Sequence, residues 1–370
     1  MYRPAVLVVL TLGLAGVHPA SSAIERSHTS ALTSPPGCRT ADPELCLYVS
    51  DQSYAVGVLD NVVIVDHERH DLRIPLVVRY PIAPRPIPRP VVIWHHGGNP
   101  HARGSERSEE WGTTLAAAGY VVIHPSRAPI TDTTPYDAEC AANGYVDHDS
   151  CAYFEAQYRL GPQTTHALID NLARVEALDP ALAGLLDATR IVVGGHSAGS
   201  TGPLTAAGAT QRWLAGGPTY SERDERPIAY LATGVQGPMY AGFGSGFQSP
   251  GSSAGVARHS FATIDRPFLF VTGVGDETGE PPEARVTAWL TAQAAHDKLL
   301  AWDTDPEAIH ETMDIDRCDT PTRADHCRWI ATIGVAFLDA VVRERAAAVA
   351  WLASEAPATL TAGAIELHRR

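Results

Sequence analysis

The sequence predicts an α/β fold, in which helices cover both faces of a mostly parallel central sheet. Two observations carry this prediction. Short apolar strands alternate with stretches of helical periodicity along most of the chain, as in strand–helix–strand units. The 370 residues are 45% hydrophobic and 19% charged, the composition of a globular protein. Since no linker interrupts residues 24–370, we expect them to form a single domain.

Two predicted strands, residues 55–65 and 72–80, precede the alternating pattern and are expected to be antiparallel at the sheet edge. Residues 81–90 contain five prolines and predict a stiff connector. The later predicted strands are 91–94, 120–124, 190–194, 228–233, 267–272 and 298–302, the last of the chain. The predicted helices are 108–118, 163–178, 197–208, 282–295 and 328–349.

Two insertions, near residues 125–161 and 211–260, interrupt this alternation. Loops of such length in a compact domain are usually lids or binding walls. Plain surface insertions are the alternative.

The N-terminus predicts an export signal over residues 1–23. Arg3 precedes the uncharged apolar stretch 5–17, and small residues allow cleavage after Ala23. That stretch is too short to span a bilayer, and no later stretch is long enough. We therefore expect a secreted or periplasmic protein without stable membrane insertion; an uncleaved N-terminal anchor is the alternative.

The cysteines fall into three close pairs, which are Cys38/Cys46, Cys140/Cys151 and Cys318/Cys327. In an exported chain we expect them to form disulfides. Local pairing is favoured, although spacing alone does not select one connectivity. The net charge of −14 and the lack of a basic run argue against nucleic acid as a partner. The oligomeric state is left open.

A Gly-x-Ser-x-Gly motif at residues 195–199 directly follows the predicted strand 190–194 and enters the predicted helix 197–208. A tight strand-to-helix turn exposes a serine for nucleophilic attack, and it requires glycines where side chains would collide. A second copy, around Ser253, follows no strand and is expected to be a loop. Ser197 is therefore the candidate nucleophile.

An oxyanion hole is expected from two backbone N–H groups. One belongs to Ala198, the residue after the nucleophile. The other is expected in the loop after an earlier strand, where His95 and His96 precede two glycines. Gly98 is the first candidate donor there, and Gly97 is the second.

The remaining groups are expected in the order serine, carboxylate, histidine. Asp276 follows the predicted strand 267–272, and its rivals are Glu277 and Glu280. His310 follows strand 298–302 by a short loop, which suits a general base. The other downstream histidines are His296 at a helix end, His326 between Cys318 and Cys327, and His368 in the tail.

Metal chemistry is the alternative reading of these side chains. Ligands could be drawn from His310 with Asp314 and Asp316, or from His95 with His96, but neither set has a recognised spacing. We expect no metal and no cofactor.

Residues 90–98, 119–125, 182–187 and 190–199 resemble bacterial predicted dienelactone hydrolases and platelet-activating-factor acetylhydrolase-like proteins. Chlorophyllases and bacterial polyester hydrolases are similar more distantly. The resemblance covers roughly residues 55–340. It implies the α/β-hydrolase fold and cofactor-free hydrolysis of a carboxylic ester through an acyl-enzyme intermediate. The ester would be a small molecule, a lipid or a polyester.

The sequence departs from this family pattern at two places. True dienelactone hydrolases use a cysteine where Ser197 stands. Acetylhydrolases and chlorophyllases place their acid after the strand that follows the nucleophile, but residues 228–237 contain no carboxylate. Asp276 is then expected to serve, in the later position that polyester hydrolases use. An acyltransferase, a peptidase and a catalytically silent binding protein of the same fold are alternatives.

Overall fold

The computed structural model describes residues 38, 41–84, 86–98, 108–126, 133–142, 145, 147–212, 218–237, 259–278 and 280–370. They belong to one compact unit, Ala31–Arg370. The predicted signal peptide, residues 1–23, and the second motif around Ser253 lie outside the described residues.

The described strands, in chain order, are β1 (Ala55–Asp66), β2 (Leu72–Ile82), β3 (Arg89–His95), β4 (Val121–Pro125), β5 (Leu186–His196), β6 (Thr210–Gln211), β7 (Tyr220–Ser221), β8 (Pro227–Thr233), β9 (His259–Ser260), β10 (Phe268–Gly273), β11 (Lys298–Asp303) and β12 (Ile365–Arg369).

The main sheet of the described chain has the order β1-β2-β4-β3-β5-β8-β10-β11-β12. The neighbours from β4 to β11 are parallel. The pairs β1/β2, β2/β4 and β11/β12 are antiparallel. The α/β class with a mostly parallel sheet is thus confirmed, and the carboxyl ends of β3, β5, β8, β10 and β11 meet at one edge.

The described α-helices are α1 (Glu109–Ala117), α2 (Asp137–Ala142), α3 (His148–Glu155), α4 (Gly161–Asp170), α5 (Leu172–Glu176), α6 (Thr201–Ala206), α7 (Pro282–Arg285), α8 (Thr287–Thr291), α9 (His310–Met313), α10 (Pro321–Val341), α11 (Ala346–Leu352) and α12 (Ala356–Leu360). A π-helical turn, Ala156–Leu160, joins α3 to α4. Within the described ranges, no helix has the length and apolarity needed to cross a membrane.

Successive residues of the central strands pack on opposite faces of the sheet. Val92 and Val192 belong to the core beneath α1, α10 and α11. Val91 lies in the core beneath α4 and α5, and Val193 in the adjoining core beneath α6 and α8. Because both faces are covered, these strands are nearly continuous apolar runs, which explains why they were recognisable in the sequence.

The C-terminal part of the fold differs from the prediction. Strand 298–302 is not the last, because β12 pairs antiparallel with β11 and places His368 opposite Leu300. His368 therefore lies in a strand and not in a tail. The predicted helix 328–349 instead begins at Pro321, capped by the Thr320 side chain, and ends at Val341. His326 consequently lies in α10.

Several other predicted elements are shorter or divided. Asn171 separates α4 from α5 within the predicted helix 163–178, and Val286 separates α7 from α8 within 282–295. The predicted helix 197–208 starts as a 3-10 turn, Ser197–Ser200. The proline-rich connector is also shorter than predicted, because β2 extends to Ile82 and β3 already starts at Arg89.

The described parts of the two insertions carry structure of their own. In the first, a disulfide between Cys140 and Cys151 joins α2 to α3. In the second, β7 and β9 both pair with β6 in a small separate sheet. The other disulfides join Cys38 to Cys46 and Cys318 to Cys327, so the pairing is local throughout.

A chain of ion pairs links α4 to the segment before β8. His166 of α4 contacts Asp224 at 2.9 Å and donates to the Glu222 carbonyl at 3.1 Å. Arg226 bridges Asp224, at 2.6 Å, and Asp170, at 2.5 Å. The hydrogen bond that His166 donates to the Asp224 carboxylate, together with Glu222, raises the pKa of His166 to about 9.

We expect the stability of the fold to fall between pH 6.5 and 9 through His166. An unfolded histidine titrates near pH 6.5, so the imidazolium stabilises the fold fully below that pH. This contribution is lost as the pH rises through about 9. The loss should be about 1–2 kcal/mol, because solvent screens a partly exposed pair. Chemical denaturation at both ends of the interval measures it. His166→Gln should remove it, and an equal loss in both proteins would contradict the assignment.

Candidate active site

The predicted nucleophile lies at the sharp turn where β5 ends. Ser197 has a backbone φ of +53°, in the left-handed region that non-glycine residues rarely adopt. The 3-10 turn Ser197–Ser200 follows directly and leads into α6. Such strain at a single serine is typical of a functional position that its surroundings hold in place.

The two glycines of the motif allow the turn to pass close to neighbouring backbone. A Cβ added to Gly199 would lie 2.2 Å from the carbonyl oxygen of His95 and 2.5 Å from that of His96. A Cβ added to Gly195 would lie 2.4 Å from the Gly199 oxygen. The turn is therefore packed directly against the end of β3.

His310 connects the nucleophile to a carboxylate. It is the first residue of α9, and its Nε2 lies 2.7 Å from Ser197 Oγ. Its Nδ1 lies 2.6 Å from Oδ1 of Asp276. Since an ionised carboxylate only accepts, Nδ1 carries the proton and Nε2 is free to accept the Ser197 hydroxyl. Ser197 and His310 are each 5% exposed, so both bonds are shielded from bulk water.

Asp276 is held in the turn after β10. Its Oδ2 accepts a 2.8 Å hydrogen bond from the Thr272 hydroxyl. Burial alone would raise the pKa of Asp276, but His310, the Arg285 guanidinium and the Thr272 bond outweigh it and hold that pKa below its usual value. The carboxylate is therefore ionised at neutral pH.

The two rival carboxylates lie elsewhere in the same loop. Glu277 is exposed. Glu280 is buried, and its Oε2 accepts a 2.7 Å hydrogen bond from the backbone N–H of Gly237. Burial raises the pKa of Glu280 to about 7. Of these three carboxylates, Asp276 is the one whose side chain bonds His310.

Two residues that sequence reasoning passed over complete the surroundings of the triad. Arg285, at the end of α7, lies 3.1 Å from Oδ1 of Asp276. His196 packs its ring against that of His310, with centroids 4.6 Å apart, and its Nε2 donates to the His310 carbonyl at 3.0 Å. Burial lowers the pKa of His196 well below its usual value, so the ring is neutral. Its Nδ1 lies 3.4 Å from Asp314.

The candidate oxyanion donors flank the nucleophile. Ala198 is fully buried in the first turn after Ser197, where backbone N–H groups have no partner within the helix. Gly97 comes so close that an added Cβ would lie 2.8 Å from Ser197 Cβ. Gly98 has a φ of +67°, and no described atom lies within 4 Å of a Cβ added to it. Both glycines thus stay candidates for the second donor, as predicted from the sequence.

Gln236 links the first insertion to the turn and helix that follow Ser197. Gln236, just after β8, donates from its backbone to Ser200 Oγ at 3.1 Å, and its Oε1 accepts from the Thr201 hydroxyl at 2.9 Å. Its Nε2 donates to the Tyr158 hydroxyl at 3.3 Å. Tyr158 belongs to the aromatic cluster around Cys140–Cys151, so Gln236 connects this part of the insertion to the residues that follow Ser197.

The other downstream histidines do not contact Ser197. His326 Nδ1 lies 2.5 Å from Asp303 Oδ2 and forms a separate buried pair. His368 pairs with Glu366 at 3.2 Å. The Ser108 hydroxyl lies 2.9 and 2.8 Å from the two carboxylate oxygens of Asp314, a possible metal ligand by sequence. The ranges that the structure describes contain no group of three or more histidine, cysteine or carboxylate side chains placed to hold a metal ion.

No model of a known protein family matches the chain, and no curated protein matches it significantly.

We expect Gly199→Ala to destabilise the protein by about 2–3 kcal/mol, because the added methyl would overlap the backbone of β3, which cannot yield as a side chain can. Gly184→Ala is the matched control. Unlike Gly199, Gly184 has a positive φ, of +71°, and no described atom lies within 4 Å of its added Cβ. Strain alone should cost about 1 kcal/mol there. Chemical denaturation compares the two, and equal losses would contradict the close packing at Gly199.

Proposed function

We propose that the protein is a secreted serine hydrolase of the α/β-hydrolase fold that cleaves carboxylic esters. The observation that carries this proposal is the pair of hydrogen bonds from Ser197 through His310 to Asp276, at 2.7 and 2.6 Å. Nucleophile, base and orienting carboxylate in this geometry are the parts that acyl transfer requires. The left-handed turn at Ser197 adds support, because it is the turn that presents a nucleophilic serine in this fold.

The proposed reaction has two halves. Ser197 Oγ attacks the ester carbonyl while His310 Nε2 takes its proton, and Asp276 stabilises the imidazolium that forms. The oxyanion is stabilised by the amide of Ala198 and by that of Gly98 or Gly97. His310 then protonates the leaving alcohol, and a water activated by the same ring releases the acid from Ser197.

Export is proposed on separate grounds. Three disulfides join the cysteine pairs of the described chain, and disulfides persist in oxidising compartments. Together with the N-terminal apolar stretch, they favour a secreted or periplasmic protein. Small-molecule, lipid and polyester esters all fit this location, and an ester panel of graded chain length would separate them.

Three alternative functions are compatible with the same arrangement of Ser197, His310 and Asp276. An acyltransferase would pass the acyl group to an added alcohol instead of water, and a peptidase would cleave amides at rates comparable to esters. A silent binding protein would not react with a fluorophosphonate at all. The intact bond chain through His310 favours a reactive site over the silent one.

Ser197→Ala should reduce kcat on p-nitrophenyl esters by about 10⁵-fold, because no other group can form the acyl-enzyme. It should also abolish labelling by a fluorophosphonate. Ser253→Ala, in the second copy of the motif, is the control and should keep both activities. Wild-type rates in Ser197→Ala would overturn the proposed function.

Asp276→Asn should lower kcat by about 10⁴-fold, since an amide can hold His310 in the wrong tautomer. Glu280→Gln should stay close to wild type, because the amide oxygen can still accept from the Gly237 N–H. The measurement is kcat at pH 8 for both variants. The opposite ranking would identify Glu280 as the acid and refute the assignment of Asp276.

A further inference from the structure

Arg285 is a buried cation that touches three parts of the site. It is 2% exposed and is the last residue of α7. Its Nη1 donates to the carbonyls of Gly234 and Val235, both at 2.9 Å, which ties it to the segment after β8. Its Nη2 donates to the Thr278 carbonyl. A guanidinium with this many fixed acceptors is held rigidly.

The same side chain also contacts the catalytic carboxylate. Arg285 Nε donates to the backbone oxygen of Asp276 at 2.9 Å and lies 3.1 Å from its Oδ1. Oδ1 is the atom that His310 Nδ1 contacts at 2.6 Å. One carboxylate oxygen is thus shared between the general base and a permanent cation.

The charges around this oxygen can be assigned from the described side chains that face it. Glu280 carries a pKa raised by burial to about 7, so it is largely neutral in mildly acidic solution. His196 is kept neutral by burial, and Asp314 lies on the far side of its ring, 3.4 Å from Nδ1. Of the described groups in contact with Asp276 or His310, Arg285 is the one that is cationic at every working pH.

A cation beside Asp276 weakens the electrostatic stabilisation that the carboxylate gives to protonated His310. The carboxylate stabilises the protonated ring of His310, and the guanidinium offsets that stabilisation at short range in a buried site. The acid limb of a hydrolase pH profile reports protonation of its base in the free enzyme.

We propose that Arg285 is a positioning residue that holds Asp276 against His310 and, by its charge, keeps the enzyme active in mildly acidic solution. This inference rests on the proposed hydrolase function. It assigns Arg285 two separable effects, one of geometry, seen in kcat, and one of charge, seen in the pH at which activity is lost.

The test is the pH dependence of kcat/KM for a p-nitrophenyl ester in the wild type, Arg285→Met and Arg285→Lys. In Arg285→Met, kcat should fall about tenfold or more, and the midpoint of the acid limb should move up by about one pH unit. Arg285→Lys keeps the charge but cannot reach all the carbonyls, so kcat should fall while the midpoint stays near that of the wild type.

Two results would overturn the proposal. Arg285 is a structural clamp alone if Arg285→Met lowers activity equally at every pH. The charge effect is wrong if the midpoint of the acid limb moves as far from the wild-type value in Arg285→Lys as in Arg285→Met. If Arg285→Met does not fold, a move of one full pH unit in Arg285→Lys refutes the charge effect. The rate of fluorophosphonate labelling, measured over the same pH range, needs no ester. If the wild type is neither labelled by the fluorophosphonate nor able to hydrolyse the ester, the proposed hydrolase function is refuted. If the wild type is labelled but the midpoint of the acid limb does not change in Arg285→Met, only the role of Arg285 is refuted.

Discussion

The site depends on the close packing of the turn at Ser197 against the backbone at the end of β3. Gly199 passes against the His95 carbonyl at a distance that excludes any side chain, and Ser197 is held in a left-handed conformation. Neighbouring parallel strands make this close packing possible, because β3 and β5 pair up to His95 and Gly195. The core on both sheet faces then supplies the free energy that offsets the strained residue.

The partners of Ser197 are brought in by the same edge of the sheet. Asp276 follows β10 and His310 follows β11, and these strands run parallel as direct neighbours. Their loops touch: a Cβ added to Gly275 would lie 2.6 Å from the carbonyl oxygens of Pro306 and Ala308. Gly275, the residue before Asp276, therefore allows the short distance between the loop that carries Asp276 and the loop that carries His310.

The sequence predicted what depends on local pattern and chain order. The apolar strands of the parallel part of the main sheet, β3, β4, β5, β8, β10 and β11, are recognisable because both of their faces are buried. The order of residues after strand ends points to Ser197, Asp276 and His310. The strand β12 was missed because only Ile365 is buried in it and its pairing with β11 is distant in sequence. The sequence does not reveal Arg285 because its side chain donates to the backbone carbonyls of Gly234, Val235 and Thr278. Any residue type offers such a carbonyl, so the sequence contains no sign of these contacts.

Asp276 and Glu280 show why sequence alone could not choose between carboxylates of one loop. Both are buried, and burial alone would raise the pKa of each; the pKa of Glu280 is raised, whereas that of Asp276 is lowered overall. The difference lies in the groups that contact each carboxylate. Asp276 accepts hydrogen bonds from His310 and the Thr272 hydroxyl and lies beside the Arg285 guanidinium. Glu280 accepts a hydrogen bond from the backbone N–H of Gly237. The first carboxylate is therefore ionised and oriented toward the base, and the second exchanges its proton near neutral pH. Two carboxyl groups whose environments separate their pKa values in this way can have different functions, and only the ionised one can stabilise an imidazolium.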